Sequence, residues 1–316
     1  MTVSSRTVLG AGVAGAAGTG LALLLTMTAA SAQVARTAGT SGPSAALVLR
    51  LPPGNAALDA SPDPTGKLIY FTANGVGGPA VIRVPLAGGP VRPVLAGGPL
   101  RGPVGLAVSG DGLRVFVADP RAQRIFVVSA TGGGVHALRG TAGSAPRGLE
   151  VERLGGRDYV VYTGRDPRTG RPAVLRIAAR GAGRPTVVHE GEPLRRPDGV
   201  ALSRSGAVFV TDQGAGGRAL RIAGGRVTTV AGGVRLGRPG GIALTLDESR
   251  LLISSLNPAT QTAQVLILDT RTGQTTTFDG VIGANRDPGG LHRARSATAM
   301  GWADVSRSGR VYRVEP

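Results

Sequence analysis

Five oxygen-bearing side chains occupy comparable places along this sequence. Asn74, Asp119, Asp212 and Asp304 each close a short apolar run, and Asp198 sits in a Pro-Asp-Gly step. Carboxylate and amide oxygens are hard donors. Gathered at one mouth of a scaffold, they would hold a divalent cation or a hydroxyl-rich ligand, and a cation so held polarises a carbonyl and activates water. The same residue type has a plainer use, because an aspartate after a strand caps the next turn by accepting backbone hydrogen bonds. Arg147 would repel a cation and is expected to pair with Asp198 or with another carboxylate across a central channel. Among the three histidines, His292 follows Pro-Gly-Gly-Leu on a stretch that would face such a channel, whereas His136 and His189 fall on strands expected at an outer rim. His292 is therefore read either as a catalytic candidate or as a polar part of the channel wall. No Gly-x-Ser-x-Gly elbow or P-loop is present, and the absence of cysteine removes thiolate zinc sites and disulfides.

The elements that must position these side chains recur. PVGLAVSGDGLRVFVAD (103–119), PDGVALSRSGAVFVTD (197–212) and PGGIALTLDESRLLISS (239–255) share one layout. PRGLEVERLGGRDYVVYT (146–163) is a looser copy, NAALDASPDPTGKLIYFTAN (55–74) lacks the Pro-x-Gly, and a sixth copy begins at 288. The copies start 42 to 51 residues apart, a period that calls for a propeller or an array. Each reads as two β-branched and aromatic runs bounded by Gly, Asp and Ser, a third strand, and a fourth after a turn, as at Thr272-Gly273. The expectation is all-β: a six-bladed β-propeller with four antiparallel strands per blade.

The sixth copy ends after its third strand, at 310–314, and one spare strand, 46–51, precedes the first copy. Pairing these two would close the ring and hide its free edges. The longest irregular stretch, 279–287 with its continuation 293–299, is read as an insertion in the last blade that serves recognition or only decorates it.

Residues 1–32 have one basic residue, Arg6, an apolar core and an Ala-Ser-Ala end, the layout of a secretory signal peptide. The expected organisation is a signal peptide at 1–32, a flexible lead-in at 33–44 and one domain at 45–316, exported to a periplasm or the exterior, with no stable membrane span after cleavage. The formal charge of +17 comes almost wholly from scattered arginines, with Lys67 the only lysine and aromatics at 3%. Nucleic-acid binding concentrates its charge and interleaves aromatics, so it is not expected.

The Pro-x-Gly-[Leu/Val/Ile] start and Val-Phe-Val-x-Asp end resemble the NHL and SMP-30/gluconolactonase group of propellers, over roughly residue 46 to the C-terminus. The resemblance implies, for the lactonase-type members, a divalent cation held at the ring centre by a Glu, Asn residues and an Asp at the x of Pro-x-Gly. Here those positions are Ala56, Val104, Arg147, Asp198, Gly240 and Gly289, and only Asp198 matches. The resemblance also brings in quinone-dependent sugar dehydrogenases, which share the six-bladed ring, but no calcium-loop pattern supports that reading.

The expected function is accordingly a binding module without a cofactor, a monomer presenting its loops to a protein, glycan or small molecule. The alternative is a lactonase-type hydrolase with calcium, manganese or zinc in a rearranged site around Asp198, Asp212, Asp119 and Asp304.

Overall fold

A computed structural model describes residues 43–181 and 183–316. The signal peptide at 1–32 and the lead-in up to residue 42 lie outside the described residues. Six four-stranded sheets make up the chain. After β1 (Ser44–Arg50), blade one holds β2 (Asn55–Pro62), β3 (Leu68–Gly75), β4 (Ala80–Pro85) and β5 (Arg92–Ala96). Blade two holds β6 (Gly105–Val108), β7 (Arg114–Asp119), β8 (Arg124–Ser129) and β9 (Val135–Ala137). Blade three holds β10 (Leu149–Leu154), β11 (Arg157–Arg165), β12 (Pro172–Ala178) and β13 (Thr186–Glu190). Blade four holds β14 (Pro197–Leu202), β15 (Val208–Asp212), β16 (Arg218–Ala223) and β17 (Arg226–Gly232). Blade five holds β18 (Ile242–Leu244), β19 (Arg250–Leu256), β20 (Ala263–Asp269) and β21 (Thr275–Phe278). Blade six holds β22 (Pro288–Arg293), β23 (Met300–Asp304) and β24 (Arg310–Glu315), and β1 completes it.

The closure is the expected one. β1 runs antiparallel to β24, with Ser44 opposite Glu315 and Arg50 opposite Arg310. The strand starts slightly earlier than the sequence pattern predicts. Each blade's first strand touches the first strands of its two neighbours, so the six first strands ring the axis.

The apolar runs are unbroken because each blade is buried on both faces. Six core layers lie between the six pairs of adjacent blades. Along β7, for example, Val115 and Val117 pack toward blade one while Phe116 and Ala118 pack toward blade three. The period-two alternation of a strand thus serves two cores at once.

The Pro-x-Gly step is a β-bulge that joins one blade to the next. In blade four Asp198 and Gly199 together oppose one residue, Thr211, and in blade six Gly289 and Gly290 oppose Ala303. The bulge turns the carbonyl of x toward the preceding blade. In blades two, three and four the glycine of the step lies against the next blade's turned carbonyl: Gly105 against Arg147, Gly148 against Asp198, Gly199 against Gly240. A Cβ on any of them would collide with that oxygen.

A hydroxyl on the second strand completes the joint. Thr211 Oγ1 accepts from Gly199 N–H at 2.7 Å and donates to Gly240 C=O at 2.8 Å. Ser254 Oγ accepts from Gly241 N–H at 2.9 Å and donates to Gly289 C=O at 2.7 Å. Thr163 does the same for Gly148 and Asp198, and Thr72 donates to Val104 C=O at 3.1 Å.

In blade one the bulge falls at Leu58, between the pairs Ala57–Ala73 and Asp59–Thr72. The x position of that blade is therefore Leu58, not Ala56 as the sequence spacing implies. Without the Pro-x-Gly step, nothing in the sequence marks where the extra residue sits.

The stretch 279–299 is more ordered than its composition suggests. A single 3-10 turn, Gly280–Ala284, buries Ile282 in the core between blades five and six. Asn285 is buried and donates to the Tyr312 hydroxyl at 3.0 Å, and the β22–β23 hairpin is tied to blade one by Ser296 N–H donating to Pro64 C=O.

Candidate functional site

The mouth at the start of the first strands holds most of the candidates. Asp198, fully buried, accepts from Arg147 Nε at 2.9 Å on Oδ1. Its Oδ2 accepts from Gln213 Nε2 at 3.1 Å and from the Gly240 backbone N–H at 3.0 Å. The carboxylate therefore ties blade three to blade five through blade four. Arg147 thus pairs with Asp198, the first of its two expected partners, from the neighbouring blade of the ring.

The aspartates that close the second strands are caps. Asp119 accepts from the N–H groups of Arg101, Gly102 and Ala122. Asp212 accepts from Arg195, Arg196 and Gly214 N–H and from Arg218, 3.0 Å away. Burial opposes the Asp212 charge, yet these donors together hold its carboxyl below the ordinary carboxylate value. Asp304 accepts from Ser306 and Arg310, but burial dominates and pushes it upward. Each fixes the loop beside it, so the ring of acidic residues does not converge. Asn74 is not their counterpart: Ala73 follows Thr72 where Asp212 follows Thr211, and Asn74, one residue farther, donates to Pro103 C=O at 2.8 Å.

The ring of x positions, Leu58, Val104, Arg147, Asp198, Gly240 and Gly289, offers one carboxylate, already bridged to a guanidinium. Among the described residues, no group of three or more His, Asp or Glu side chains is arranged to hold a metal ion. These donors do not fit the cation that the family resemblance implies.

His292 lies deeper in the channel, near the end of β22, and is 5% exposed. Its Nε2 is 3.0 Å from Asp59 Oδ2 on blade one, and its Nδ1 is 3.6 Å from Glu150 Oε2 on blade three. Blades three and six are opposite in a ring of six, so this contact crosses the axis and plugs the channel. Asp59 is seated by the N–H groups of Ala60 and Leu106 and fits only because Gly290 has no side chain.

Burial disfavours a charged imidazole. The charges of Asp59 and Glu150, with the Asp59 hydrogen bond, outweigh it and lift His292 to about 10, and His292 in turn draws Glu150 below the ordinary value. At neutral pH the ring is an imidazolium clamped between two carboxylates. Such a ring holds its proton and is not poised as a general base.

Asp59 and Glu150 are the functional-site residues that sequence spacing missed. Their signal is legible in hindsight: an ionisable residue between apolar neighbours on a first strand, as in Ala-Leu-Asp-Ala and Leu-Glu-Val, matching Leu-His-Arg of blade six. His136 and His189 sit on fourth strands, β9 and β13, away from the channel.

No model of a known protein family matches the chain, and no curated protein resembles it in sequence. Solved structures do resemble it. A gluconolactonase from Xanthomonas campestris is 17% identical, covers 92% of this chain and 93% of its own, and has a TM-score of 0.63. The PQQ-bound aldose sugar dehydrogenase from Streptomyces coelicolor is 14% identical over 88% of this chain and 99% of its own, with a TM-score of 0.59. A chain of a nidogen/laminin complex is 20% identical over 70% of this chain and 79% of its own, with a TM-score of 0.57. These likenesses show the six-bladed propeller fold. They do not choose between catalysis and binding, since one fold serves unrelated functions.

Proposed function

We propose that the chain is an exported β-propeller that binds a partner and does not carry the cation-dependent lactone hydrolysis implied by the family resemblance. The observation that carries this reading is the state of Asp198, the one carboxylate at a family ligand position. Both its oxygens are engaged, by Arg147, Gln213 and the Gly240 N–H, and it is fully buried. A divalent cation there would have to displace a guanidinium and find its other ligands among Leu58, Val104, Gly240 and Gly289, which supply no side-chain oxygen. The channel histidine supports the same reading, because its proton is held by Asp59 and Glu150.

The rigid ring and its two mouths are what such a module offers to a protein, glycan or small molecule. Its export rests on the layout of residues 1–32. The test is lactone hydrolysis by the mature chain with added calcium, manganese or zinc, beside Asp198→Ala. The reading predicts no turnover above that of the variant. Metal-dependent turnover lost on Asp198→Ala would establish the hydrolase instead.

A further inference from the structure

The opposite mouth, where the first strands end, carries a cleft that shares only Glu150 with the residues above. Its volume is about 330 Å³ and it is walled by four consecutive blades: Glu150 to Leu154 of blade three, Ala201 to Arg204 of blade four, Ala243, Leu244, Leu246 and Glu248 of blade five, and Arg293 and Arg295 of blade six. This size is at the small end of pockets that hold small molecules.

Its charges do not cancel. Each carboxylate in the wall faces a cation: Glu150 shares His292 with Asp59, Glu152 is 2.8 Å from Arg176 Nε, and Glu248 accepts from the Arg204 N–H at 2.6 Å with Arg204 Nε at 4.0 Å. Arg293 and Arg295 have no carboxylate within 4.0 Å among the described residues. The Arg293 guanidinium is locked in place by the carbonyls of Leu244, Ala294 and Arg295, so its contacts are with neutral oxygens, and Glu150 and Glu248 act on it only from beyond ion-pair distance. Burial, joined by the charges of Arg295 and Arg204 and resisted by Glu150 and Glu248, holds Arg293 below the usual guanidinium range.

A second observation concerns Glu150. His292 Nδ1 lies 3.6 Å from Glu150 Oε2, beyond hydrogen-bond distance, so the contact is an ion pair, and Glu150 also lines the cleft. Held there by charge and not by a hydrogen bond, the Glu150 carboxylate keeps lone pairs free for a further donor.

We infer that this cleft binds a small organic anion that also carries hydroxyl groups, its charged end against Arg293 and Arg295 and its hydroxyls toward Glu150. Guanidinium groups match carboxylate and phosphate alike, so the anionic group can be either. Glu150 and Glu248 supply acceptors for hydroxyls, and no aromatic side chain lines the walls to select a flat apolar ring. The site deepens the binding reading and rests on it.

Calorimetric titration of the mature chain with glucuronate, glucose 6-phosphate and glucose is the test. Saturable binding of at least one of the two anions is expected, weakening with added salt, with glucose bound more than about tenfold less tightly. Arg295, on the cleft wall and only half-buried, can be reversed with little risk to folding, and Arg295→Glu should abolish anion binding while leaving the melting temperature in place. Glu150→Gln should weaken the sugar anions more than inorganic phosphate. The inference is overturned if glucose binds as well as the anions, if Arg295→Glu binds undiminished, or if neither anion binds at about 10 mM. In the last case, continued absence of metal-dependent lactone hydrolysis would leave the non-catalytic reading standing and remove only this cleft.

Discussion

His292 on blade six and Glu150 on blade three face each other across the propeller axis, Nδ1 to Oε2 at 3.6 Å, while Asp59 of blade one holds the other side of the imidazole at 3.0 Å. Two carboxylates and one imidazolium therefore link three blades, one of them diametrically opposite. The link gives the ring a stability that depends on pH. His292 titrates at about 10 when folded, above its ordinary value of 6.5, so its contribution is complete below about 6.5 and disappears as pH rises toward about 10. Glu150, held below its ordinary value, contributes above that value and loses its contribution as pH falls through the folded one. Urea unfolding of the chain from residue 33 should show a midpoint that declines between about pH 6.5 and 10. His292→Gln should be less stable at pH 6 and should flatten that decline; an unchanged decline would place its source elsewhere.

The hydroxyl joints predict a graded loss. Thr211→Val keeps the shape but strands the Gly199 N–H and the Gly240 carbonyl, both buried, and should cost about 1–3 kcal/mol. Thr228→Val, on the exposed outer strand β17, should change stability by less than about 0.5 kcal/mol. Equal losses from both would mean that the joint between blades four and five contributes nothing particular.

The glycines of the bulges predict a sharper contrast. Gly199→Ala drives a Cβ into the Gly240 carbonyl of the next blade and should cost about 3 kcal/mol or more, or prevent folding. Gly206 has open space around it but a φ of +83°, so Gly206→Ala should cost only the left-handed backbone penalty, about 1–2 kcal/mol. Thermal denaturation of the two variants measures the difference, and similar melting points would refute the close-approach explanation of the Pro-x-Gly repeat.

Much of this fold was legible because propeller blades repeat. Runs such as Val115–Ala118 are apolar at every position since both faces meet a core, and six such runs at one period specify a ring. The strand at the N-terminal end was legible from the missing fourth strand of the last copy. The site was less so. Sequence spacing treated the side chain at x as the feature of the Pro-x-Gly step, whereas the bulge makes the carbonyl of x the working group and hides the side chain's role from the pattern. The bulge at Leu58 lacks the motif altogether, so the spacing misplaced x in blade one at Ala56. Asp59 and Glu150 escaped because ring closure and contacts across the channel join residues with no fixed separation in the chain: His292 and Asp59, on adjacent blades, are 233 positions apart.

Closure by β1 predicts an abrupt boundary. A chain beginning at residue 43 should be as stable as one beginning at residue 33, while a chain beginning at residue 51 lacks the partner of β24 and exposes its edge. Size-exclusion chromatography should show the first two as monomers and the third as aggregate. A monomeric, cooperatively melting chain from residue 51 would mean that the ring does not need its clasp.

The central claim is that Asp198 is a clamp between blades and not a cation ligand. Titration of calcium, manganese and zinc into the chelator-treated mature chain, followed by calorimetry, addresses it most directly. The account predicts no saturable heat at or below about 1 mM metal and, in parallel, a lower melting temperature for Asp198→Ala whether or not metal is present. Tight binding of any of the three ions that vanishes in Asp198→Ala would contradict it.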